Sequence, residues 1–381
     1  MNLNYSEEHS ILRDGARRLL AKMPANALAA AGGDFHRTFW DQIADLGWLG
    51  LPFAEANGGV GCGALEIAIV AEELGRAGAV TPFIEIVVIA GGLIEALGTH
   101  AQRAAWLEPL INGTAIPVLA HLENGARGKL DHVRTVAVRN REGYALTGEK
   151  VLVRAGQWAD VFLVTALLDD QIALFAVRAG ARGVEITSYP TVNGGRAADV
   201  RLSRVVVGLE DRIGEESILP TLEAVHDRAV AALCADAVGA MDALLAATVE
   251  YTKQRVQFGK PIASFQALQH RMAEMAVRCE EARASALLAA LSCDASKSQR
   301  IRGVSGAKAK IGRASRHVAQ EAIQLHGAMG FSQELPIGNW FKRLYAFENS
   351  FGSTRDHLDR YARVLASAEM RGNLLYERGE S

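Results

Sequence analysis

Apolar positions follow three successive rhythms along the chain. Up to about residue 113 the rhythm is helical. Ser6 stands as an N-cap ahead of Glu7 and Glu8, acids that favour a helix start, and Ile11, Leu12, Leu19 and Leu20 then recur at helical spacing. A second helix is expected over 39–46, stopped by Gly47 and Pro52. A third is expected over 65–74, behind the turn Asn57-Gly58-Gly59. The longest wholly apolar run, 86–94, lies between Glu85 and Glu95 and is too short to span a bilayer.

Near Thr114 the apolar runs shorten, β-branched residues rise and Gly, Asn and Asp punctuate every few positions. Strands are predicted over 133–138, 144–147, 161–165, 172–177, 184–188 and 200–207, with 139–143 as a hairpin connection. No long helical pattern separates them, which points to an antiparallel barrel or sandwich. After Pro220 the helical rhythm returns, with long helices expected over 222–255, 265–291, 300–327, 337–348 and 354–370. The fold class is therefore α+β and mainly α. It comprises an N-terminal helical domain (1–113), a middle antiparallel β-barrel domain (114–212) and a C-terminal four-helix-type bundle (213–381).

Composition supports the helices, with 64 alanines in 381 residues. Charge narrows the function. Lys and Arg number 41 against 43 Asp and Glu, so there is no basic footprint for nucleic acid. The first residues show neither a basic nor an apolar leader, and the expectation is a soluble, cytoplasmic protein that engages no membrane. Cys62, Cys234, Cys279 and Cys293 form no CxxC pair, so small buried hydrophobes are a better reading than a zinc site or a disulfide framework. No metal site is expected. GxGxxG after a strand, GxxxxGK[ST], GxSxG and HExxH are all absent, so any cofactor must be held by another device.

Two stretches carry the chemistry. The first contains Arg255-Val256-Gln257-Phe258-Gly259-Lys260-Pro261, a helix stop and short turn, followed by a new helix capped near Ser264 that begins Phe265-Gln266. The second is Gln324-Leu325-His326-Gly327-Ala328-Met329-Gly330-Phe331. With Leu51-Pro52-Phe53 and Glu72-Glu73-Leu74-Gly75 near the N-terminus, they resemble the acyl-CoA dehydrogenase family, flavoproteins that introduce a 2,3 double bond into acyl-CoA thioesters. The resemblance implies a helical, β, helical architecture and FAD as cofactor. Arg255 would then meet the FAD pyrophosphate of a neighbouring subunit, a role suited to a fixed guanidinium. Phe258 would pack on that dinucleotide, Gln266 would hydrogen-bond within its site, and Gln324 with Gly327 would contact flavin across a dimer. Gly352 and Ser353 would complete the cofactor contacts. Read without the resemblance, Arg255 is a solvated cation at a helix C-terminus, and Gln324 and Gly327 are an ordinary helix end.

The chain also departs from the family. Members remove the substrate α-proton with a carboxylate while a hydride leaves the β-carbon for flavin. The usual base stands fifteen residues after the proline equivalent to Pro336, and that count lands on Phe351. The alternative base, twenty-two residues before the tyrosine equivalent to Tyr251, lands on Ala229. Asp227 is the candidate acid nearby, with Glu223 one turn earlier. Asp227 sits about 200° round a regular helix from Ala229, so it needs a distorted helix start to serve; otherwise it is a charge at the helix N-terminus. The segment His121-Leu122-Glu123-Asn124-Gly125-Ala126-Arg127-Gly128 stands where many members hold flavin with serine and aspartate, and Leu152-Val153-Arg154-Ala155-Gly156 replaces a tryptophan–threonine element.

These departures resemble the small subunits of pimeloyl-CoA-type dehydrogenases, as do Phe341-Lys342-Arg343-Leu344 and the stretch around Cys234. The resemblance implies an acyl-CoA substrate and a homo- or heterotetramer containing a second acyl-CoA dehydrogenase-like subunit. It further implies electron-transfer flavoprotein as the electron acceptor. Two other readings remain open at this stage. One is a non-catalytic, flavin-carrying or structural subunit, and the other is a flavin monooxygenase on the same fold.

Overall fold

The computed structural model describes residues 6–23, 37–332 and 335–376. The chain divides into two compact units. One holds 7–70 and 78–229, and the other holds 71–77 with 230 onward.

In the first unit, α1 (Glu7–Lys22), α2 (Arg37–Asp45) and the start of α3 (Ala64–Ala77) pack an apolar core around Trp40, Ile43, Leu49, Phe53 and Ile67. The apolar run near residue 90 forms a π-helix, Ile84–Gly91, which continues as α4 (Gly92–Leu97) and buries Ile86, Val87, Val88 and Ile89. Gly91 lies against the Phe53 ring, where a Cβ would stand 2.3 Å from the ring's Cζ. Short helices α5 (His100–Gln102) and α6 (Glu108–Ile111) lead to the sheet.

The middle segment is sheet-rich, as the rhythm predicts. Its eight strands are β1 (Pro117–Ala120), β2 (Val136–Arg139), β3 (Tyr144–Arg154), β4 (Val161–Leu168), β5 (Gln171–Arg178), β6 (Val184–Pro190), β7 (Arg196–Val207) and β8 (Arg212–Ile213). They run in the order β6-β7-β3-β2-β4-β5-β8, with β1 also on β4. Most pairs are antiparallel. The β1–β4 ladder and the single Val136–Leu167 bridge are parallel, which strand alternation alone does not reveal. Residues 139–143 do form a hairpin, closed by the Asn140 side chain accepting from the Glu142 and Gly143 N–H groups.

In the second unit the long helices are α7 (Leu219–Gln254, whose first residues to Ala229 belong to the first unit), α8 (Gln266–Ser292), α9 (Lys297–His326), α10 (Ile337–Asn349) and α11 (Thr354–Tyr376). By length and composition α7 could cross a membrane, a possibility the reading of short apolar runs did not raise; 72 % of its most apolar stretch is buried within the protein. Glycines bring α3 and α7 together. A Cβ on Gly75 would meet the Asp236 carbonyl oxygen at 1.9 Å, and one on Gly239 would meet that of Glu72 at 1.8 Å. Around this crossing, Arg76 and Arg283 both bind Glu72 and Asp242, and Arg343 binds Asp236.

Candidate active site

In the helical unit, α7 ends where Arg255 N–H still reaches the Tyr251 carbonyl, and the chain turns into a two-strand hairpin, β9 (Val256–Gln257) with β10 (Lys260–Pro261). Phe258 (φ +54°) and Gly259 (φ +77°) occupy the tip, both left-handed, as a tight two-residue hairpin turn demands. Phe258 is 89 % exposed and meets Phe265 edge-on, while Lys260 Nζ stands 4.4 Å from the Phe265 ring centre. Arg255 and Gln266 are exposed as well. The cap expected near Ser264 is not made. Phe265 is the N-cap of α8, and the Ser264 hydroxyl donates to the Pro261 carbonyl instead.

The second expected stretch closes α9. Gln324 is exposed, and Gly327 ends the helix at φ +59°, ψ −138°, a region open in practice to glycine alone. Among the described residues no heavy atom lies within 4 Å of where a Cβ on Gly327 would stand, leaving bare backbone open to close approach. Tyr251 stacks on His326 with ring centres 4.4 Å apart, which ties the end of α7 to the end of α9. The hairpin carrying Arg255 and the turn carrying Gly327 are thereby fastened to one scaffold.

Phe351 occupies a strained turn at φ +56°, with Gly352 at φ +102°. His357 Nε2 lies 3.0 Å from the Phe351 carbonyl oxygen. Lys308, fully buried in α9, donates to the Gly352 carbonyl at 3.0 Å and the Glu348 carbonyl at 3.2 Å, and its ammonium caps the Phe347 ring at 4.2 Å. Ser353 caps α11 jointly with Asp356. The turn is therefore firmly held while its side chain is one that accepts no proton.

Ala229 is fully buried, and so is Asp227. The expectation for Asp227 needs correction on two counts. α7 runs without interruption from Leu219, so the distorted helix start required of a base is absent. The residue also lies two turns inside the helix rather than at its N-terminus.

The sheet unit contains a buried polar network that strand rhythm alone does not announce. Lys150 Nζ donates to Glu123 Oε1 (2.6 Å), Thr165 Oγ1 (3.1 Å) and the His121 carbonyl (3.4 Å). Glu123 also accepts from the N–H groups of Arg134 and Thr135 and from the Thr135 hydroxyl. Burial pushes Lys150 down to about 8 despite Glu123, and pushes His121 down to about 3, helped by the Lys150 charge and by His226. For Glu123 burial works upward, but the Lys150 and Thr135 hydrogen bonds outweigh it and its pKa is lowered. A signal was present in the sequence: Tyr144, Leu146, Gly148 and Lys150 share one face of β3, and a lysine on an inward face requires a partner. Nearby, Leu152 (φ +52°) sits at a bulge with its N–H shared by Tyr189 Oη and Asp199 Oδ1. Both side-chain polar atoms of Gln157 are buried without a partner among the described residues.

Within the helical unit, an exposed arginine, an outward aromatic ring and the bare Gly327 backbone offer charge, stacking and close approach of the kind a flavin dinucleotide would use. Within the sheet unit, Leu122 and Leu152 supply no hydroxyl.

The family described as "Acyl-CoA dehydrogenase, N-terminal domain" matches residues 6–114, and "Acyl-CoA dehydrogenase, C-terminal domain" matches 225–366. A short-chain specific acyl-CoA dehydrogenase of Megasphaera elsdenii is 30 % identical over 80 % of this chain and 83 % of its own. The solved butyryl-CoA dehydrogenase of the same organism superposes with a TM-score of 0.90 at 26 % identity, over 96 % of this chain and 100 % of that one. A chain of the ChsE4–ChsE5 complex of Mycobacterium tuberculosis superposes with a TM-score of 0.84 at 27 % identity, over 96 % and 99 %.

Proposed function

The chain belongs to the acyl-CoA dehydrogenase family, and from that premise we propose that it serves as one subunit of a heteromeric, FAD-dependent acyl-CoA dehydrogenase whose catalytic carboxylate stands on a second, related chain. Phe351 carries this reading. A phenyl ring occupies the usual base position, a buried alanine the alternative one, and the Lys308–His357 clamp keeps the surrounding turn in order. That one structural relative is a complex of two named proteins supports the same view. FAD, when bound, takes up the hydride released from the substrate β-carbon. Arg255 offsets the pyrophosphate charge of a neighbouring subunit's cofactor, Phe258 packs on it, and Gln266, Gln324 and Gly327 line its approach, with Gly352 and Ser353 as further contacts. Phe351 excludes water, and the α-proton leaves to the partner's carboxylate. An electron-transfer flavoprotein would be the electron acceptor.

The test compares the chain purified alone with the chain co-expressed with a related, carboxylate-bearing subunit. Alone it should reduce its flavin with acyl-CoA on the order of 10²–10⁴-fold more slowly, the range of a general base. Phe351→Glu should restore weak activity to the lone chain. Fast turnover of the lone wild type, abolished by Asp227→Asn, would overturn the assignment. No turnover under any pairing, with FAD bound throughout, would make this a flavin-carrying structural subunit.

A further inference from the structure

The network around Lys150 reaches further than burying one charge. A lysine ammonium has only donors, so where Nζ meets Thr165 the hydroxyl oxygen must accept. The same oxygen stands 3.0 Å from His121 Nδ1, so one hydroxyl joins the ammonium to the imidazole ring. The imidazole is neutral, because burial and the Lys150 charge both oppose its protonation. Its Nε2 is buried with no partner among the described residues. The same ammonium holds the His121 carbonyl and Glu123, and the Val151 N–H holds the Leu122 carbonyl at 2.8 Å. Three consecutive residues are thus fastened from both sides, while the Leu122 N–H takes no acceptor among the described residues. The segment opens the stretch 121–128 that stands where relatives use hydroxyl and acid groups absent here.

We propose that Lys150 is a positioning residue for the cofactor-facing segment 121–128, acting through Thr165 to hold the His121 ring and through Glu123 to fix the backbone at Leu122. This rests on the FAD-dependent reading above and deepens it. A rigid frame takes over the ordering that a flavin-binding serine and aspartate would otherwise supply. Lys150 does not touch the reacting atoms.

A merely structural ion pair predicts a different outcome from a positioning one, and the purified FAD-loaded protein separates them. Removing one partner leaves a buried charge unpaired, so Lys150→Met alone is expected to fold poorly. Removing both charges in Glu123→Gln/Lys150→Met relieves that penalty and should bring the melting temperature back to near wild type. If Lys150 positions the cofactor segment, the flavin of this double variant remains altered. Its visible absorption bands shift, and the preference for reduced over oxidised flavin falls about tenfold, a two-electron midpoint potential lower by ~30 mV. Thr165→Val keeps the ion pair and removes only the hydroxyl relay, so it should shift the spectrum and potential in the same direction without a large loss of stability. Unchanged flavin spectra and potential in Thr165→Val, or in a folded double variant, would overturn the proposal. A wild-type chain that takes up no FAD would instead defeat the functional reading itself.

Discussion

His121 shows how much one buried side chain can be made to report. Its folded pKa lies near 3 against an ordinary 6.5, because burial and the neighbouring Lys150 charge both oppose protonation. Between those values the unfolded chain binds a proton that the folded chain refuses. Its contribution to stability is therefore complete above pH 6.5 and is lost progressively as pH falls toward 3. One proton can contribute a slope of at most about 1.4 kcal/mol per pH unit. Melting curves from pH 7 to pH 4 should therefore fall less steeply for His121→Leu than for wild type; equal slopes would show that His121 is not refusing the proton. Lys150 acts in the other window. Its depressed pKa makes the folded state shed a proton near pH 8 that the unfolded chain keeps up to 10.5, so this group alone favours folding as pH rises through that range. Arg255 is a simpler case. Replacing it with alanine should cost about 1.5–3 kcal/mol of FAD affinity, as for other charge-assisted hydrogen bonds, and wild-type flavin occupancy in Arg255→Ala would remove it from the site.

At the level of elements, the crossing of α3 and α7 depends on what is missing from Gly75 and Gly239. Each would place a Cβ under 2 Å from a backbone carbonyl oxygen, which no side-chain rotation can relieve. Gly239→Ala should therefore push the helices apart and strain the Arg76 and Arg283 ion pairs around the crossing, costing about 1–3 kcal/mol or more. A melting temperature within a degree or two of wild type would show that the crossing adapts. The elements themselves were largely legible in the sequence. The long helices fall within a few residues of their expected spans, since many small and apolar residues at a regular spacing leave little room for another structure. β1 went unread because its four residues, Pro117–Ala120, are too few to display alternation. Likewise, the π-helix at Ile84–Gly91 presents a continuous apolar run with no period to read. The site was half legible. Motif spacing marks Arg255, Phe258 and Gly327, each of which the structure places in an exposed or backbone-open position. By contrast, Lys150, Thr165 and His121 come together through pairing between strands distant in sequence, and only the inward face of β3 hinted at them.

For the whole molecule, the decisive observation is a ring held out in solvent. Phe258 is 89 % exposed and Val256 54 % exposed, side by side on a hairpin whose tip adopts left-handed backbone at two successive residues. Exposing a large aromatic ring forgoes roughly 1.5–3 kcal/mol of burial, and the turn gives it no partner beyond an edge-on contact with Phe265. Such a hairpin stays well formed without protecting its own side chains, and under the heteromeric reading proposed above another subunit would cover it. Arg255 at its base would bring charge to the same surface. Phe258→Ser should then leave the subunit's helical content unchanged while lowering the mass of the assembly in light scattering, and FAD occupancy should drop in parallel. The two losses are linked if the cofactor is held between subunits, so restoring assembly at higher protein concentration should restore flavin as well. A variant that keeps its mass but loses FAD would make Phe258 a cofactor contact alone. One that keeps both would leave the exposed ring without a role in assembly or cofactor binding.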